Sequence, residues 1–513
     1  FIGNHFPIGI TLMMCLVILG LNPLLKLIRP QAVFRSTELI TIWAMCLVAA
    51  AFPTAGLLRQ LIPWLVMPVY MLPQNPEWEP VLAHLPDWLF PLKDPTADQA
   101  TQVLDKFYLG SDQDNPFFVP WAVWWKPLLI WGVYYVPFYL GVLMLSILLS
   151  RQWIVQEKLQ YPIATVMLEM VRDAPKGRRF NTLFSDRRMW LGAGIVIAIH
   201  LINGLHSIYP KIPAIPLGYG LGGIFTEGFW PHVVGYMKSS KIYFSMLGIA
   251  FLMASEVSLS LWFFVVVYGI IIAFIRYNGS DPLEAIRSQH YGAILAMGGY
   301  LLFLARSHLS LALRMAFLRP RNPREHAYAT YRWVVWALIL CMGVCTAWLC
   351  ATGMPIWLAI AQLVILYLIF LVLSRLVAET GLFFVVPQLY AQHLFQLIAP
   401  NLLAVKNQVL VISSAWSSLV GRETLMPFAF NALRLRHEAE KQQPGEAGGD
   451  SLRNIEVGSG RFIGALIGAM IISLVVGGAV SIALYYSWGA VRTGNWAAFG
   501  GAASLCNHAV DYI

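Results

Sequence analysis

Glu256 is the residue whose setting most clearly suggests chemistry, because it interrupts an apolar segment that extends from residue 242 to residue 276. Ser255 and Ser258 flank it. An ionisable group inside a membrane is costly unless it is paired or faces water. Two interpretations follow: Glu256 is a protonatable carboxylate or cation ligand at a helix break, or it lies in a tight turn near a membrane surface and caps a helix with the serines.

A second polar set lies in the apolar segment 189–209. His200, Asn203 and Ser207 are spaced at i, i+3 and i+7, so a helix would place them on one face. Such a stripe is expected to face the interior of a helix bundle or a cavity. Hydrogen bonding between helices and a place along a substrate path both explain it.

A third set closes the apolar segment 355–376. Arg375 and Glu379 are four residues apart and can form an ion pair on one helix face. Thr380 follows, and Gln388 lies just beyond, after the interrupted stretch that begins at Gly381. This arrangement predicts either an interfacial ion pair or the polar entrance of a re-entrant hairpin.

Other kinds of site are not supported by the sequence. The six cysteines form no CxxC or CxxCH pattern, so the sequence supports neither a zinc site nor a c-type haem attachment. The chain contains no HExxH motif and no GxxxxGK[ST] loop. We therefore expect no catalytic residues, no metal, no cofactor and no ATP-driven pump, and we predict that the chain is not an enzyme.

The composition indicates the environment in which these groups lie. Of 513 residues, 58% are hydrophobic and 12% are charged, and the mean hydropathy is +0.64. A soluble protein carries about 25% charged residues. The sequence therefore predicts an integral membrane protein, with multiple spans in the cytoplasmic (inner) membrane of a bacterium.

About twelve apolar runs are long enough to cross a hydrocarbon layer, if the long run 242–276 forms two joined or broken helices. The fold class we predict is an all-α polytopic transmembrane bundle with broken or re-entrant helices. The chain begins at Phe1 without a basic segment, so we expect a trimmed N-terminus rather than a signal peptide. The runs are 7–27, 37–57, 125–150, 189–209, 242–276, 291–305, 333–352, 355–376, 381–399, 402–420 and 462–487.

The distribution of Lys and Arg orients these runs. Most of these residues fall in four segments that the positive-inside rule places in the cytoplasm, where they meet anionic lipid; the net charge of +9 therefore does not indicate nucleic acid. The chain then divides into a first transmembrane hairpin with an interfacial helix (1–72), an external polar loop (73–120), a transmembrane core (121–432), a flexible cytoplasmic linker (433–461), and a last transmembrane helix with an external tail (462–513).

Four segments resemble the oligopeptide transporter superfamily, and most closely its uncharacterised prokaryotic branch. They are RQWIVQEKLQYPIATVMLEM (151–170), SEVSLSLWFFVVVY (255–268), AETGLFFVVPQ (378–388) and RETLMPFAFNALRL (422–435). In that superfamily a Tyr-Pro pair follows a Leu-rich cytoplasmic stretch, as Leu159, Tyr161 and Pro162 do here. The resemblance implies a transporter with two related halves and broken helices, which moves peptides or metal chelates with protons.

Our leading hypothesis is a proton-coupled secondary carrier of small peptides or metal chelates. Glu256 would be its proton-linked carboxylate, with Ser255, Ser258, His200 and Asn203 along the path and Glu379, Thr380 and Gln388 in a second broken element. The alternative is a structural or anchoring subunit of a larger membrane assembly. The sequence leaves open whether the chain forms a homo-oligomer or joins partner membrane subunits.

Overall fold

The computed structural model describes residues 7–53, 56–111, 118–173, 180–383, 385, 394–395, 404–419, 423–442, 460–493, 498 and 500–510. These residues are almost entirely helical, which confirms the all-α class. One two-stranded antiparallel hairpin, β1 (Gly218–Gly220) with β2 (Ser239–Lys241), is the exception within this part of the chain.

The helices of the first half are α1 (Ile8–Leu16), α2 (Asn22–Ile28), α3 (Ser36–Ala50), α4 (Leu58–Trp64), α5 (Met67–Tyr70), α6 (Glu79–Ala83), α7 (Ala97–Gln99), α8 (Lys106–Leu109), α9 (Trp121–Ser150), α10 (Pro162–Val171), α11 (Thr182–Ser185), α12 (Arg187–Ile208), α13 (Phe244–Leu252) and α14 (Ser255–Tyr277). The π-helical turns Val17–Leu21 and Arg151–Gln156 respectively join α1 to α2 and extend α9.

The helices of the second half are α15 (Leu283–Leu304), α16 (Arg306–Phe317), α17 (Pro323–Ala329), α18 (Arg332–Ala351), α19 (Ile356–Thr380), α20 (Val405–Leu419), α21 (Leu425–Gln442), α22 (Gly460–Trp488) and α23 (Gly500–Val510). Helix α21 continues past residue 433, where the sequence suggested the start of a linker. Residues 443–459 of that linker lie outside the described residues.

Within the described residues, seven helical segments are long and apolar enough to cross a membrane, which makes the chain an integral membrane protein. They are Ile8–Ile28, Trp121–Gln156, Arg187–Ile208, Ser255–Tyr277, Arg332–Ala351, Ile356–Thr380 and Gly460–Trp488. Helices α15 and α16, bent by 64°, make an eighth if they count as one span. The expected twelve are not confirmed: α3 and α20 have 15 residues each, α13 has nine, and most of run 381–399 lies outside the described residues.

The run 242–276 is broken as predicted. Helix α13 ends at Leu252 and α14 begins at Ser255, with Met253 and Ala254 between them in extended or irregular conformation.

The core of the bundle is built around α9, which packs along α18 and against α19 and α21. The Tyr367 hydroxyl donates a hydrogen bond to the carbonyl oxygen of Phe138 at 3.0 Å, and their rings stack. Gly141 makes this approach feasible, because any Cβ there would collide with the Tyr367 hydroxyl. Side chains around this contact are almost fully buried, so these helices form the closely packed part of the molecule.

Other spans pack little against this core. Helix α12 has no buried residue, and α14 buries only Gly269, Ile272 and Ala273. Met237, next to β2, lies against Gly269 and links the hairpin to α14. An apolar helix with so little contact inside its own chain must be covered by lipid or by another chain.

Residues 67–111 form a folded layer at one end of the bundle, which we call the cap. Trp78 and Tyr108 are buried in it; the Trp78 indole donates to Asn507 Oδ1 at 2.9 Å and the Tyr108 hydroxyl to the carbonyl of Ala498 at 3.0 Å. Burial raises the pKa of Tyr108, so its hydroxyl remains a donor at neutral pH. The predicted external loop thus folds onto the bundle and α23.

The opposite end carries the arginines of the predicted cytoplasmic loops, and we call it the basic end. Arg151, Arg172, Arg187 and Arg188 lie where α9 and α10 end and α12 begins.

Candidate functional site

Glu256 lies in the first turn of α14, directly after the break that follows α13. The N-cap position is Ala254, whose side chain makes no capping hydrogen bond. A carboxylate in the first turn is favoured by the positive end of the helix dipole. Glu256 is exposed, and the Ser260 hydroxyl bonds to its backbone carbonyl at 2.8 Å.

Glu256 and Glu379, which are far apart in the sequence, line the same groove of about 590 Å³. One face of α14 forms a wall with residues four apart, and α15 and α19 supply the other walls. Along the face of α14 that lines the groove, polar side chains lie near both ends and apolar side chains lie between them. The lining residues are Glu256, Val257, Ser260, Leu261, Phe264, Val265, Tyr268, His290, Leu376, Glu379 and Thr380.

The length of the groove follows from helix geometry. Glu256 and Tyr268 are twelve residues apart on α14, which is about 18 Å at 1.5 Å per residue. Tyr268 stacks on His290 of α15, with ring centroids 6.1 Å apart. The groove therefore extends from the two carboxylates to an aromatic and imidazole pair well along the span.

The predicted pairing of Arg375 with Glu379 is confirmed, and it belongs to a larger network. The Arg375 guanidinium donates to carboxylate oxygens of both Glu379 and Glu157. Gln152 donates to the second oxygen of Glu157 at 2.9 Å. The guanidinium carbon also lies 5.5 Å from the centre of the Trp153 ring. These contacts fix the orientation of Glu379 at the basic end.

The Leu-x-Tyr-Pro sequence positions the chain next to this network. Tyr161 adopts a left-handed conformation with φ of 48°, and its amide donates to the carbonyl of Ala378 at 2.9 Å. Gly381, with φ of 67°, ends α19; a Cβ there would lie 2.7 Å from Pro162 Cβ. The segment after α9 and the end of α19 are therefore joined beside Glu379 and Thr380.

The other residues predicted for the path do not line this groove. Asn203 exchanges two hydrogen bonds with the backbone of Ile215, at 2.9 and 2.7 Å, so it fastens the loop after α12. His200 contacts the ring of Phe244 edge-on at 5.9 Å. Ser255 and Ser258 share the start of α14 with Glu256 without lining the groove. Gln388 lies outside the described residues.

A second site, which sequence reasoning missed, lies where two helix breaks meet. The first break includes residues 51–53 and 56–57, between α3 and α4, and the second includes Glu423 and Thr424, directly before α21. Gly56 lies against the backbone of the second break, because a Cβ on Gly56 would be 2.7 Å from the Glu423 carbonyl oxygen.

Contacts with two long spans show how deep the breaks lie. The Ser473 hydroxyl donates to the carbonyl of Ala49 at 2.6 Å, and Ser473 is near the middle of α22. The Tyr139 hydroxyl contacts the carbonyl oxygen of Gly56 at 3.4 Å, and Tyr139 is at the middle of the helical segment Trp121–Gln156. Both contacts place the breaks at half the length of a span.

Polar side chains are buried beside the breaks and on the adjoining helices α19 and α21. Glu423 is 1% exposed, and Gln362 of α19 is fully buried. Gln362 donates to the Ser414 hydroxyl at 2.8 Å, and Asn431 of α21 donates to the carbonyl of Pro427 at 2.9 Å. Within the part of the chain that the structure describes, the amide oxygens of Gln362 and Asn431 accept no hydrogen bond. Buried oxygens of this kind are expected to accept from a ligand or from water.

The sequence contained signals for this second site. Run 355–376 includes Gln362, and the stretch RETLMP places a carboxylate between two helix segments. The two weak runs before it, 381–399 and 402–420, are typical of helices that line protein rather than lipid.

Comparison with known families covers the entire chain: residues 1–513 match the model of DUF6785, described as a family of unknown function. The chain belongs to the DUF6785 family. No curated protein and no solved structure matches it.

For this DUF6785 chain, the assignment of the two candidate sites therefore rests on their geometry. Among the described residues, no three His, Cys, Asp or Glu side chains are grouped to hold a metal ion. The arrangement provides carboxylates in the groove and beside the helix breaks, and buried hydrogen-bond acceptors on α19 and α21. Binding and proton exchange are the chemistry that such groups perform.

Proposed function

We propose that this DUF6785 chain is a secondary active membrane transporter, coupled to protons, that moves small peptides or metal chelates. The observation that carries the proposal is the buried carboxylate Glu423 beside two facing helix breaks at half the length of two spans. Broken helices that meet near the midplane are where carriers bind substrates and coupling ions. An ionisable residue at that depth is costly and is expected to have a function.

The helix termini at the breaks suit a zwitterionic substrate. Helix α3 ends at Ala50 and presents the negative end of its dipole to the break, and α21 begins at Leu425 with its positive end there. A peptide carboxylate would be stabilised at the start of α21, and a peptide ammonium by the α3 carbonyls and Glu423.

The groove carboxylates would exchange protons at the basic end. Glu256 is exposed there, and Glu379 is held by Arg375. Arg375 pairs with Glu379 within α19 and with Glu157 in the segment after α9, so a change in the charge of Glu379 would act on the contact between these two segments through the shared guanidinium. The resemblance to the oligopeptide transporter superfamily supports the choice of peptides and metal chelates as substrate classes.

The test is uptake into proteoliposomes with an imposed pH gradient. The substrates are a labelled pool of di- to tetrapeptides and, separately, metal chelates. Uptake of one pool should require the gradient and should be lost in Glu423→Gln and in Glu256→Gln. Glu77→Gln, at an exposed position of the cap, is the matched control and should transport normally.

A second function, an anchoring subunit of a larger membrane assembly, is favoured by one observation: α12 has no buried residue along its entire length. A subunit of this kind could present α12 to a partner chain and would not need Glu423. Folded protein that takes up neither pool would favour this function over transport.

A further inference from the structure

A second pocket, of about 600 Å³, lies between the cap and the first turns of α9. It is at the opposite end of α9 from the basic end, and the proposed transport function does not use it. The cap supplies one wall and α9 the other. The lining residues are Asp87, Trp88, Phe90, Pro91, Leu92, Lys93, Asp94, Ala122, Val123, Trp125, Lys126 and Pro127.

The two walls carry opposite charges. On the cap wall, Lys93 Nζ is 2.7 Å from Asp87 Oδ1 and also donates to the carbonyl of Leu85 at 2.8 Å, so this lysine is held within the cap. Asp94, on the same wall, and Lys126, on α9, are exposed. A ligand with one cationic and one anionic group would meet a complementary charge on each wall.

The pocket adjoins a lipid-facing surface. Trp121, Trp125, Leu129 and Val133 lie four residues apart on α9 and are each at least 45% exposed, although α9 is otherwise largely buried. This stripe follows the span for about 18 Å. Tryptophan is enriched at the level of lipid headgroups, so Trp121 and Trp125 place the pocket at that level.

We propose that this pocket binds the headgroup of a phospholipid that carries both an ammonium and a phosphate, as phosphatidylethanolamine does. The phosphate contacts Lys126 and the ammonium contacts Asp94. The acyl chains lie along Leu129 and Val133, and the indole of Trp125 covers the glycerol region. The lipid thereby joins the cap to the membrane-facing side of α9.

The test is native mass spectrometry of the full chain in detergent, with phosphatidylethanolamine or phosphatidylglycerol added at equal concentration. Phosphatidylethanolamine should be retained better. Lys126→Ala should lower retention of both lipids about fivefold, because a lysine at the interface contributes about 1 kcal/mol. Asp94→Asn should lower retention of phosphatidylethanolamine alone, since phosphatidylglycerol has no ammonium group.

Lys211→Ala removes an exposed lysine elsewhere and serves as the control, with no change expected for either lipid. Lys126→Met, which keeps the aliphatic stem, replaces Lys126→Ala if that variant does not fold. Unchanged retention of phosphatidylethanolamine in both the Lys126 and the Asp94 variants would overturn the proposal. Displacement of the lipid by equimolar soluble glycerophosphoethanolamine would also overturn it, because the ligand would then be the soluble zwitterion.

Discussion

Replacing Arg375 with Met should destabilise the basic end of the bundle, because it leaves two carboxylates close together without their shared cation. The Arg375, Glu157 and Glu379 side chains are 12%, 15% and 30% exposed. Removing one partner of a buried pair costs about 3 to 5 kcal/mol. Because Glu379 is partly exposed and Gln152 still donates to Glu157, we expect the lower end, about 3 kcal/mol.

The assay is equilibrium unfolding in mixed detergent micelles containing increasing SDS, followed by tryptophan fluorescence. Arg375→Lys keeps the positive charge but loses the planar guanidinium group that reaches both carboxylates. It should therefore lower the free energy of unfolding by about 1 kcal/mol. Adding Glu157→Gln to Arg375→Met should recover part of the loss, with a coupling free energy of about 1 to 2 kcal/mol. A loss below about 0.5 kcal/mol for Arg375→Met, the range of ordinary surface substitutions, would refute this account of the network.

Three further outcomes follow from particular contacts. Gly381→Ala should lower thermal stability, measured by size-exclusion chromatography after heating, much more than Gly279→Ala. Both glycines have positive φ, but only a Cβ at Gly381 would meet neighbouring atoms. Equal losses of stability in the two variants would contradict this reasoning. Tyr367→Phe should cost about 1 kcal/mol in the SDS assay, because it removes one buried hydrogen bond, and no change would argue against that bond. Asn203→Ala should leave transport unchanged and increase proteolysis of the following loop, because Asn203 forms hydrogen bonds with the backbone of Ile215. Loss of transport in folded Asn203→Ala protein would indicate instead that Asn203 lies on the substrate path.

Local patterns in the sequence predicted the helical elements well. The interruption at Ser255 and Glu256 marked the break between α13 and α14, because a polar group in an apolar run rarely continues a lipid-facing helix. The four-residue spacing of Arg375 and Glu379 predicted their pair, since i, i+4 residues are neighbours on any helix. The apolar composition alone indicated that the chain is a membrane protein.

Tertiary relationships were not accessible from the same patterns. The periodicity of His200 and Asn203 correctly placed them on one helix but could not show what that helix faces, and α12 turned out to have no buried residue. The contact of Gly56 with Glu423 joins segments more than 350 residues apart, and no local pattern encodes it. Glu157, the third member of the Arg375 network, was missed for the same reason.

The role of Glu423 as a proton-coupled group at the centre of the membrane is the claim on which the account depends. The most direct measurement compares gradient-driven accumulation with substrate exchange in proteoliposomes containing wild type or Glu423→Gln. Glutamine keeps the size and the hydrogen-bonding oxygen but cannot carry a proton. We predict that Glu423→Gln retains exchange of the transported peptide or chelate and loses accumulation driven by the pH gradient. Accumulation at the wild-type rate in Glu423→Gln would contradict the account.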